Sequence, residues 1–268
     1  MNHNLYIVPH DFTPIGDAAL KYAIHLGKKI RVDIQIVHLI SDKSKTMATK
    51  QKLEKIVQSI DKPSYIKCES KIIIGSIFED LGKHAKKEGA QLIIMGTHGL
   101  SITQKLFGSN VIKVVTSSEV PFLIIQKDTK IEEVKKIVAP IDMTKESLQI
   151  TGPAGDLSKI FHSEVHVIAE KETDEILSRK QSNRFSLIKD QYDEKEVKYH
   201  FQLINERGSF QSKVIEYAKK NNANFFALAY HSESLFAMLD TFAQNIAINE
   251  LKAPCLILNA KSASKLYF

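Results

Sequence analysis

The sequence predicts an α/β protein built from two repeated doubly wound domains, each a five-stranded, mainly parallel sheet flanked by helices. Short apolar runs rich in β-branched residues alternate with segments of helical periodicity, a pattern typical of parallel strands joined by crossover helices. The order of motifs in the first half of the chain recurs in the second. The length of 268 residues also accommodates two domains of ordinary size.

The repeat is visible at both ends of each half. "LYIVPHDFTP" at 5–14 aligns with "KIVAPIDMTK" at 136–145 at an offset of 131, whereas "VPFLIIQ" at 120–126 aligns with "APCLILN" at 253–259 at an offset of 133. Two residues of net insertion therefore separate the first match from the last. We predict domains at residues 1–128 and 134–268, joined near the polar, charged segment "QKDTKIEEVKK".

The elements of the first half follow one another as strand and helix. "LYIVP" predicts a strand, after which Thr13 can cap a helix that begins at Pro14. Strands are then predicted at "DIQIVHLI", "IKCESKIII", "AQLIIMG" and "PFLIIQ", and helices at "TMATKQKLEKIVQSI", "SIFEDLGKHAKKEG" and "VIKVVTSSE". In the second half, the charged segment at 172–197 also predicts a helix.

Composition excludes several classes of protein. The chain lacks an apolar run long enough for a membrane helix and lacks the profile of a secretory signal, so we expect a cytoplasmic protein that does not insert into membranes. Cys68 and Cys255 have no partner at metal-ligand spacing, and we expect Cys255 to be a core residue. The tail "KSASKLYF" is expected to be a flexible end.

Charge is concentrated in the first half. Residues 1–130 contain 19 Lys and Arg against 12 Asp and Glu, a net charge of +7, whereas the remainder contains 18 against 19, a net charge of −1. This balance favours an anionic ligand in the first half, although a solvated lysine-rich face would give the same count. The lysines are scattered without interleaved aromatic residues, so nucleic-acid binding is not expected.

A candidate anion site lies in "LIIMGTHGLSITQKLFGSN" at 92–110. Gly96 and Gly99 would let backbone N–H groups approach an anion, and Gly108 and Ser109, followed by "NVIKVV", would offer amides and a hydroxyl at a helix N-terminus. The alternative is that the glycines serve only the strand-to-loop turn and that Ser109 is only a helix cap. Ligands of doubly wound sheets lie beyond the carboxyl ends of the strands.

The order of "VPHDFTP", "GTHG" and "GSN" resembles the universal stress protein family, and the whole chain resembles its tandem two-domain members. The resemblance implies a site for ATP or another adenine nucleotide, with or without Mg²⁺, in the first domain. In that family, the aspartate after the first strand contacts adenine, and the glycine segment holds the ribose and phosphates. Transferred to this sequence, the site residues are Asp11, Gly96, Gly99, Gly108 and Ser109, and His98 and Asn110 beside them complete the candidate set.

One departure from the family pattern concerns the phosphates. Eight residues separate Gly99 from Gly108, whereas the family pattern has nine. The shorter loop turns the start of the following helix relative to the phosphates, so the phosphate contacts are where this chain is expected to differ.

The second half supplies an internal comparison. Ala229, Ser232, Thr241 and Phe242 stand at the positions of Gly96, Gly99, Gly108 and Ser109, so we expect that half to be degenerate for ATP. Their loss also indicates that the fold alone does not require those four residues. Asp142 and His231, in contrast, repeat Asp11 and His98, which favours structural roles for these two pairs. His10 and His38 could line the pocket, but exposed loop histidines are the simpler expectation for both.

Catalytic signatures are lacking. The sequence has no Walker-type "GKS" or "GKT", no nucleophile elbow and no carboxylate cluster for magnesium, so we expect a binding protein rather than an enzyme. Slow ATP hydrolysis or self-phosphorylation stays open, with no base assigned. The resemblance also implies that "PFLIIQ" and "PCLILN" pair to form an internal pseudo-dimer, which a further homodimer could extend. The alternative function is a nucleotide-free scaffold that binds unidentified protein partners.

Overall fold

The computed structural model describes residues 4–97, 111–230 and 237–260. In the last range, side chains are described only for residues 241–260. Within it, the chain divides into two compact units, Met1–Ile131 and Glu132–Phe268. We call them unit 1 and unit 2 and describe each by itself.

Unit 1 alternates strands with helices, as the sequence predicts. Its strands are β1 (Asn4–Pro9), β2 (Val32–Ile40), β3 (Cys68–Ile74), β4 (Leu92–Thr97) and β5 (Phe122–Gln126). Its helices are α1 (Pro14–Gly27), α2 (Thr46–Ser59), α3 (Asp80–Lys87) and α4 (Val111–Thr116). Thr13 is extended at the N-cap position of α1, and Pro14 occupies the first turn, where its missing N–H costs nothing.

The strands of unit 1 form a parallel sheet in the order β3-β2-β1-β4-β5. Strands β1, β4 and β5 are apolar along nearly their whole length because helices cover both faces of a parallel sheet. The order reverses between β1 and β4, and in sheets of this kind such a reversal opens a crevice at the carboxyl ends of the strands. The fold class predicted from the sequence is confirmed.

Unit 2 repeats this arrangement. Its strands are β6 (Lys136–Pro140), β7 (Glu164–Glu170), β8 (Lys198–Ile204), β9 (Phe225–Tyr230) and β10 (Cys255–Asn259), and its helices are α5 (Thr151–Phe161), α6 (Glu175–Glu194), α7 (Phe210–Lys220) and α8 (Ala237–Ala247). The strands are parallel in the order β8-β7-β6-β9-β10. Cys255 is fully buried in β10, as expected of a core residue.

The register of the strands locates the two-residue insertion between the repeats. Gln35 pairs with Glu69 in unit 1, and His166 pairs with His200 in unit 2, so the offset is still 131 at the third strand. By the next crossover it is 133, because Gly208 of unit 2 corresponds to Gly75 of unit 1. The extra residues therefore lie in the loop between β8 and α7, at positions 205–207.

One predicted helix begins later than the sequence indicates. The prediction started it at Ser76, whereas α3 starts at Asp80. Ser76 to Glu79 instead form a turn in which the Asp80 carboxylate accepts a hydrogen bond from the Ser76 N–H at 2.8 Å. Gly75 has a φ of +153°, and a Cβ there would collide with the Asp80 carboxylate, so this turn requires glycine.

The described residues, 4–97, 111–230 and 237–260, contain helices of different lengths and polarity. None of them is both long enough and apolar enough to cross a bilayer.

Candidate functional site

A cavity of about 580 Å³ lies at the carboxyl edge of the unit 1 sheet, where the strand order reverses. Its floor is formed by the ends of β1, β2 and β4, and one wall by the turn that follows β3. The described lining includes Pro9, His10, Asp11, Ile15, Gly16, His38, Leu39, Gly75, Ser76, Phe78, Met95 and Gly96. We call it the unit 1 cavity. Asp11 and Gly96, the two sequence-predicted site residues that the structure describes, both line it.

Asp11 has a structural task in addition to its place in the cavity. Its Oδ1 accepts hydrogen bonds from the Thr13 N–H at 3.1 Å and from the Thr13 hydroxyl at 2.5 Å. Asp142 makes the same two bonds to Thr144 in unit 2. This shared turn explains why the aspartate recurs in both halves. It also holds the carboxylate of Asp11 in one orientation at the cavity wall.

His10 is buried at the end of β1, with 3% of its surface exposed. Its Nδ1 accepts a hydrogen bond from the Phe12 N–H at 3.0 Å, so Nε2 carries the proton and donates to Asp17 at 3.1 Å. Both ring nitrogens are therefore engaged. Gly16 leaves room for the ring, since a Cβ there would lie 3.0 Å from it. The expectation of an exposed loop histidine is wrong, and His10 holds the turn after β1.

His38 lies within β2 and is half-buried, which also corrects the expectation of an exposed loop residue. Its Nδ1 lies 2.6 Å from the carbonyl oxygen of His10, so Nδ1 donates and the neutral ring keeps its acceptor at Nε2. The ring packs against Phe12, with 4.4 Å between the ring centroids. His38 thus presents an oriented imidazole to the cavity, an orientation that no sequence pattern indicates.

Gly96 is explained by packing of α1 on β4. A Cβ at this position would lie 2.6 Å from the carbonyl oxygen of Ile15 and closer still to its side chain. The inference that the fold does not require a glycine here is therefore wrong for unit 1. In unit 2, a 3₁₀ turn at Ser147–Ile150 precedes α5, and Ala229 takes the equivalent place in β9.

Two lysines lie beside aromatic rings of unit 1, and one of these rings lines the unit 1 cavity. The Lys113 ammonium is 4.9 Å from the centroid of Phe78, which lines the cavity, and the Lys52 ammonium is 5.3 Å from that of Phe12. Such contacts stabilise the protein by about 0.5–1 kcal/mol each at exposed sites. They hold two positive charges near the cavity, an arrangement that favours an anion.

The remaining predicted residues lie outside the described part of the chain. They are His98, Gly99, Gly108, Ser109 and Asn110, together with His231 and Ser232 of the second half. Their contribution to a site stays a prediction of the sequence. In residues 4–97, 111–230 and 237–260, no cluster of three or more His, Cys, Asp or Glu side chains could hold a metal ion.

Sequence reasoning missed one wall of the unit 1 cavity and one hydrogen bond of a residue that lines it. One is the turn at Gly75 and Ser76, which forms a wall, and the repeated "GS" at 75–76 and 208–209 was the available signal. The other is the pair of His10 and Asp17, seven residues apart, for which the spacing from strand end to the first turn of α1 was a weak signal.

Comparison with known proteins supports the fold of the whole chain and matches its first half to one family model. The family model described as the universal stress protein family matches residues 6–126. A universal stress protein from Archaeoglobus fulgidus is similar in structure, with a TM-score of 0.77 and 17% identity, over 97% of this chain and all of that one. A functionally unknown protein from Pseudomonas aeruginosa aligns over 98% of this chain and 95% of its own, with a TM-score of 0.65 and 14% identity. At these identities, the structural likeness shows the fold alone.

A universal stress protein solved in complex with cAMP aligns over 48% of this chain and 99% of its own, with 13% identity and a TM-score of 0.39. That likeness is too low to indicate which ligand this chain binds. No curated protein matches the sequence significantly.

Proposed function

We propose that unit 1 binds an adenine nucleotide, with ATP as the first candidate, and acts as a regulatory stress-response protein, because residues 6–126 match the model of the universal stress protein family. The observation that carries the proposal is the unit 1 cavity, which lies at the strand-order reversal and has His38 and Asp11 on its wall. Pockets of this size and position are typical of ligand sites in parallel α/β sheets.

The base would lie against the ends of β1 and β2. The Nε2 of His38 is an acceptor and the Asp11 carboxylate accepts further hydrogen bonds, so both suit the amino group of adenine. The phosphates would extend toward the predicted glycine segment, on the side of the cavity where Lys113 lies beside Phe78. Mg²⁺ would accompany the phosphates, which supply the oxygen ligands that it prefers.

Binding would act by shifting populations rather than by turnover. A ligand changes a conformational equilibrium only to the extent that it binds one conformation more tightly than another. The glycine segment is the part of the site whose arrangement we expect ATP to select, because its N–H groups would contact the phosphates. A partner that recognises the selected arrangement would then read the nucleotide state.

Calorimetric titration of the nucleotide-stripped full chain with ATP and Mg²⁺ tests this proposal. We expect one saturable site per chain, weakened roughly 10-fold to 150-fold by Ser109→Ala, because a hydrogen bond to a charged group contributes about 1.5–3 kcal/mol. Gly99→Ala should weaken binding as well. Thr241→Ala, the unit 2 counterpart of Gly108, is the matched control and should leave the affinity unchanged.

A second readout assigns binding to the cavity. Met95 lines the unit 1 cavity, and we expect its methyl NMR signal to shift on addition of ATP. His38→Ala, which reproduces the Ala169 of unit 2, should weaken binding about 5-fold through loss of one hydrogen bond. No heat and no Met95 shift at millimolar ATP would overturn the proposal and favour the nucleotide-free interaction module.

A further inference from the structure

Unit 2 also contains a cavity, of about 600 Å³, at the same edge of its sheet. We call it the unit 2 cavity. Its lining repeats that of unit 1: Asp142, Gly208 and Leu228, for example, stand where unit 1 has Asp11, Gly75 and Met95. Degeneration of the glycine segment has therefore not closed the site.

The unit 2 cavity differs from that of unit 1 in its aromatic wall. Phe210 and Phe242 are stacked, with 5.6 Å between ring centroids and planes 5° apart. Both rings are half-buried and line the cavity, so their remaining surface faces open space. Phe242 stands where unit 1 has Ser109, but it does not fill the cavity, because the volume of about 600 Å³ remains with both rings in place. A flat aromatic ligand could extend this stack.

Electrostatics in the unit 2 cavity disfavour phosphate. Two carboxylate residues, Asp142 and Glu170, line it, and none of its described lining residues is Lys or Arg. The two basic groups beside the cavity are already engaged. Lys213 pairs with Glu170 at 2.7 Å without lining the cavity, and Arg184 donates to the carbonyl oxygens of Asp142 and Thr144.

The lysines that border the unit 1 cavity have no basic counterparts in unit 2. At the same offsets, Lys52 becomes Asn183 and Lys113 becomes Ile246. Because Lys213 is engaged with Glu170, the described lining offers a phosphate no Lys or Arg side chain, and the carboxylate of Asp142 would repel it. Hydrogen-bond donors on a ligand, in contrast, would find acceptors in those carboxylates.

From this combination we propose that unit 2 binds an uncharged aromatic heterocycle bearing N–H donors, without a phosphate. The ring would stack on the Phe210 and Phe242 pair, and its N–H groups would donate to the carboxylates of Asp142 and Glu170. This site goes beyond the proposed function, because the ligand, the unit and the charge preference all differ. It would give one chain two sites of opposite electrostatic preference.

Methyl NMR on the full chain tests the proposal, because Met95 and Leu228 occupy equivalent positions in the two cavities and report on them separately. Adenosine and indole are the uncharged probes, and AMP is the phosphate-bearing counterpart of adenosine. We expect the Leu228 methyl signals to shift with at least one uncharged probe, and AMP to bind unit 2 at least ten times more weakly than adenosine if adenosine is the probe that binds.

Two variants test the wall. Phe242→Leu keeps an apolar side chain but removes the stack, and should weaken binding roughly 3-fold to 10-fold, since aromatic pairing contributes about 0.5–1.5 kcal/mol beyond burial. Ala229→Leu should fill the cavity and abolish the Leu228 shift. Backbone amide spectra of both variants, unchanged away from the cavity, would show that unit 2 is folded.

The proposal is overturned if neither uncharged probe shifts Leu228 at millimolar concentration, or if AMP shifts it with the affinity of adenosine. Its failure is distinguishable from failure of nucleotide binding in unit 1, which is read from Met95 with ATP.

Discussion

Gly96 lies at the carboxyl edge of the unit 1 sheet, where α1 packs directly on β4. Ile15 of α1 approaches the backbone there so closely that a Cβ has no room. His10 is a similar case, because its burial depends on the space that Gly16 leaves and on the acceptor at Asp17.

At this scale, Gly96→Ala should destabilise unit 1 by about 1–3 kcal/mol, the usual cost of overpacking. The carbonyl of Ile15 is main chain, so only a shift of α1 could relieve the contact. Urea unfolding followed by methyl signals of unit 1 would measure the loss. Ala229→Gly in unit 2 is the matched reverse change, and we expect it to cost no more than about 1 kcal/mol. An unperturbed Gly96→Ala protein would contradict the packing explanation.

Between elements, each unit has a hydrogen bond between a strand and a helix at equivalent positions. The histidine of this pair lies on the helix in unit 1 and on the strand in unit 2. In unit 1, Gln35 of β2 lies 2.6 Å from Nε2 of His84 in α3. In unit 2, His166 of β7 lies 2.7 Å from the hydroxyl of Tyr217 in α7. The sequence predicted these strands and helices but not the contact, because it depends on which face of each helix meets the sheet.

Because the histidine of unit 2 lies on a buried strand, its protonation makes the stability of unit 2 sensitive to acid. Burial lowers the pKa of His166, and this outweighs Glu164, which acts in the opposite direction from 3.4 Å. The folded state therefore takes up this proton at a lower pH than the unfolded state, whose histidine pKa is about 6.5. The contribution of neutral His166 to the stability of unit 2 is therefore complete above that pH and is lost as the pH falls through the lower pKa of the folded state. His84 in α3 has its pKa lowered by burial as well, with the same sign in unit 1.

His166→Gln, which copies the Gln35 of unit 1, should make the stability of unit 2 less dependent on pH between 7 and 5. Urea midpoints of unit 2 methyl signals at several pH values would measure that slope. His162→Gln removes an exposed histidine from the end of α5 and serves as the control. Equal slopes for wild type and His166→Gln would show that His166 does not cause the acid sensitivity.

Across the whole molecule, the sequence predicted the parts that depend on local periodicity and on repetition. Alternating strands and helices, the parallel sheets and the recurrence of both follow from apolar patterns and from matching motifs. The cavities depend instead on loops and distant contacts. The aromatic wall of the unit 2 cavity, for example, joins Phe210 at the start of α7 to Phe242 in α8, and no spacing rule predicts that pair.

If the two units have different ligands, ATP should protect them unequally. At a concentration one hundred times its dissociation constant, ATP should stabilise unit 1 by about 2.7 kcal/mol. Hydrogen exchange of amides in β1 and β4, compared with those in β6 and β9, would separate the units. We expect slower exchange in unit 1 only. Equal protection of both units would contradict the assignment of ATP to one of them.

The two-residue insertion at 205–207 marks a natural junction, or seam, within unit 2. Before this point, residues of unit 2 correspond to residues of unit 1 at an offset of 131. After it, they correspond at an offset of 133. A hybrid joined at the seam would keep every backbone ladder in register while exchanging the wall of one pocket for that of the other. The segments of the two units on either side of this junction are therefore exchangeable, so that ligand preference can be recombined while the scaffold is kept.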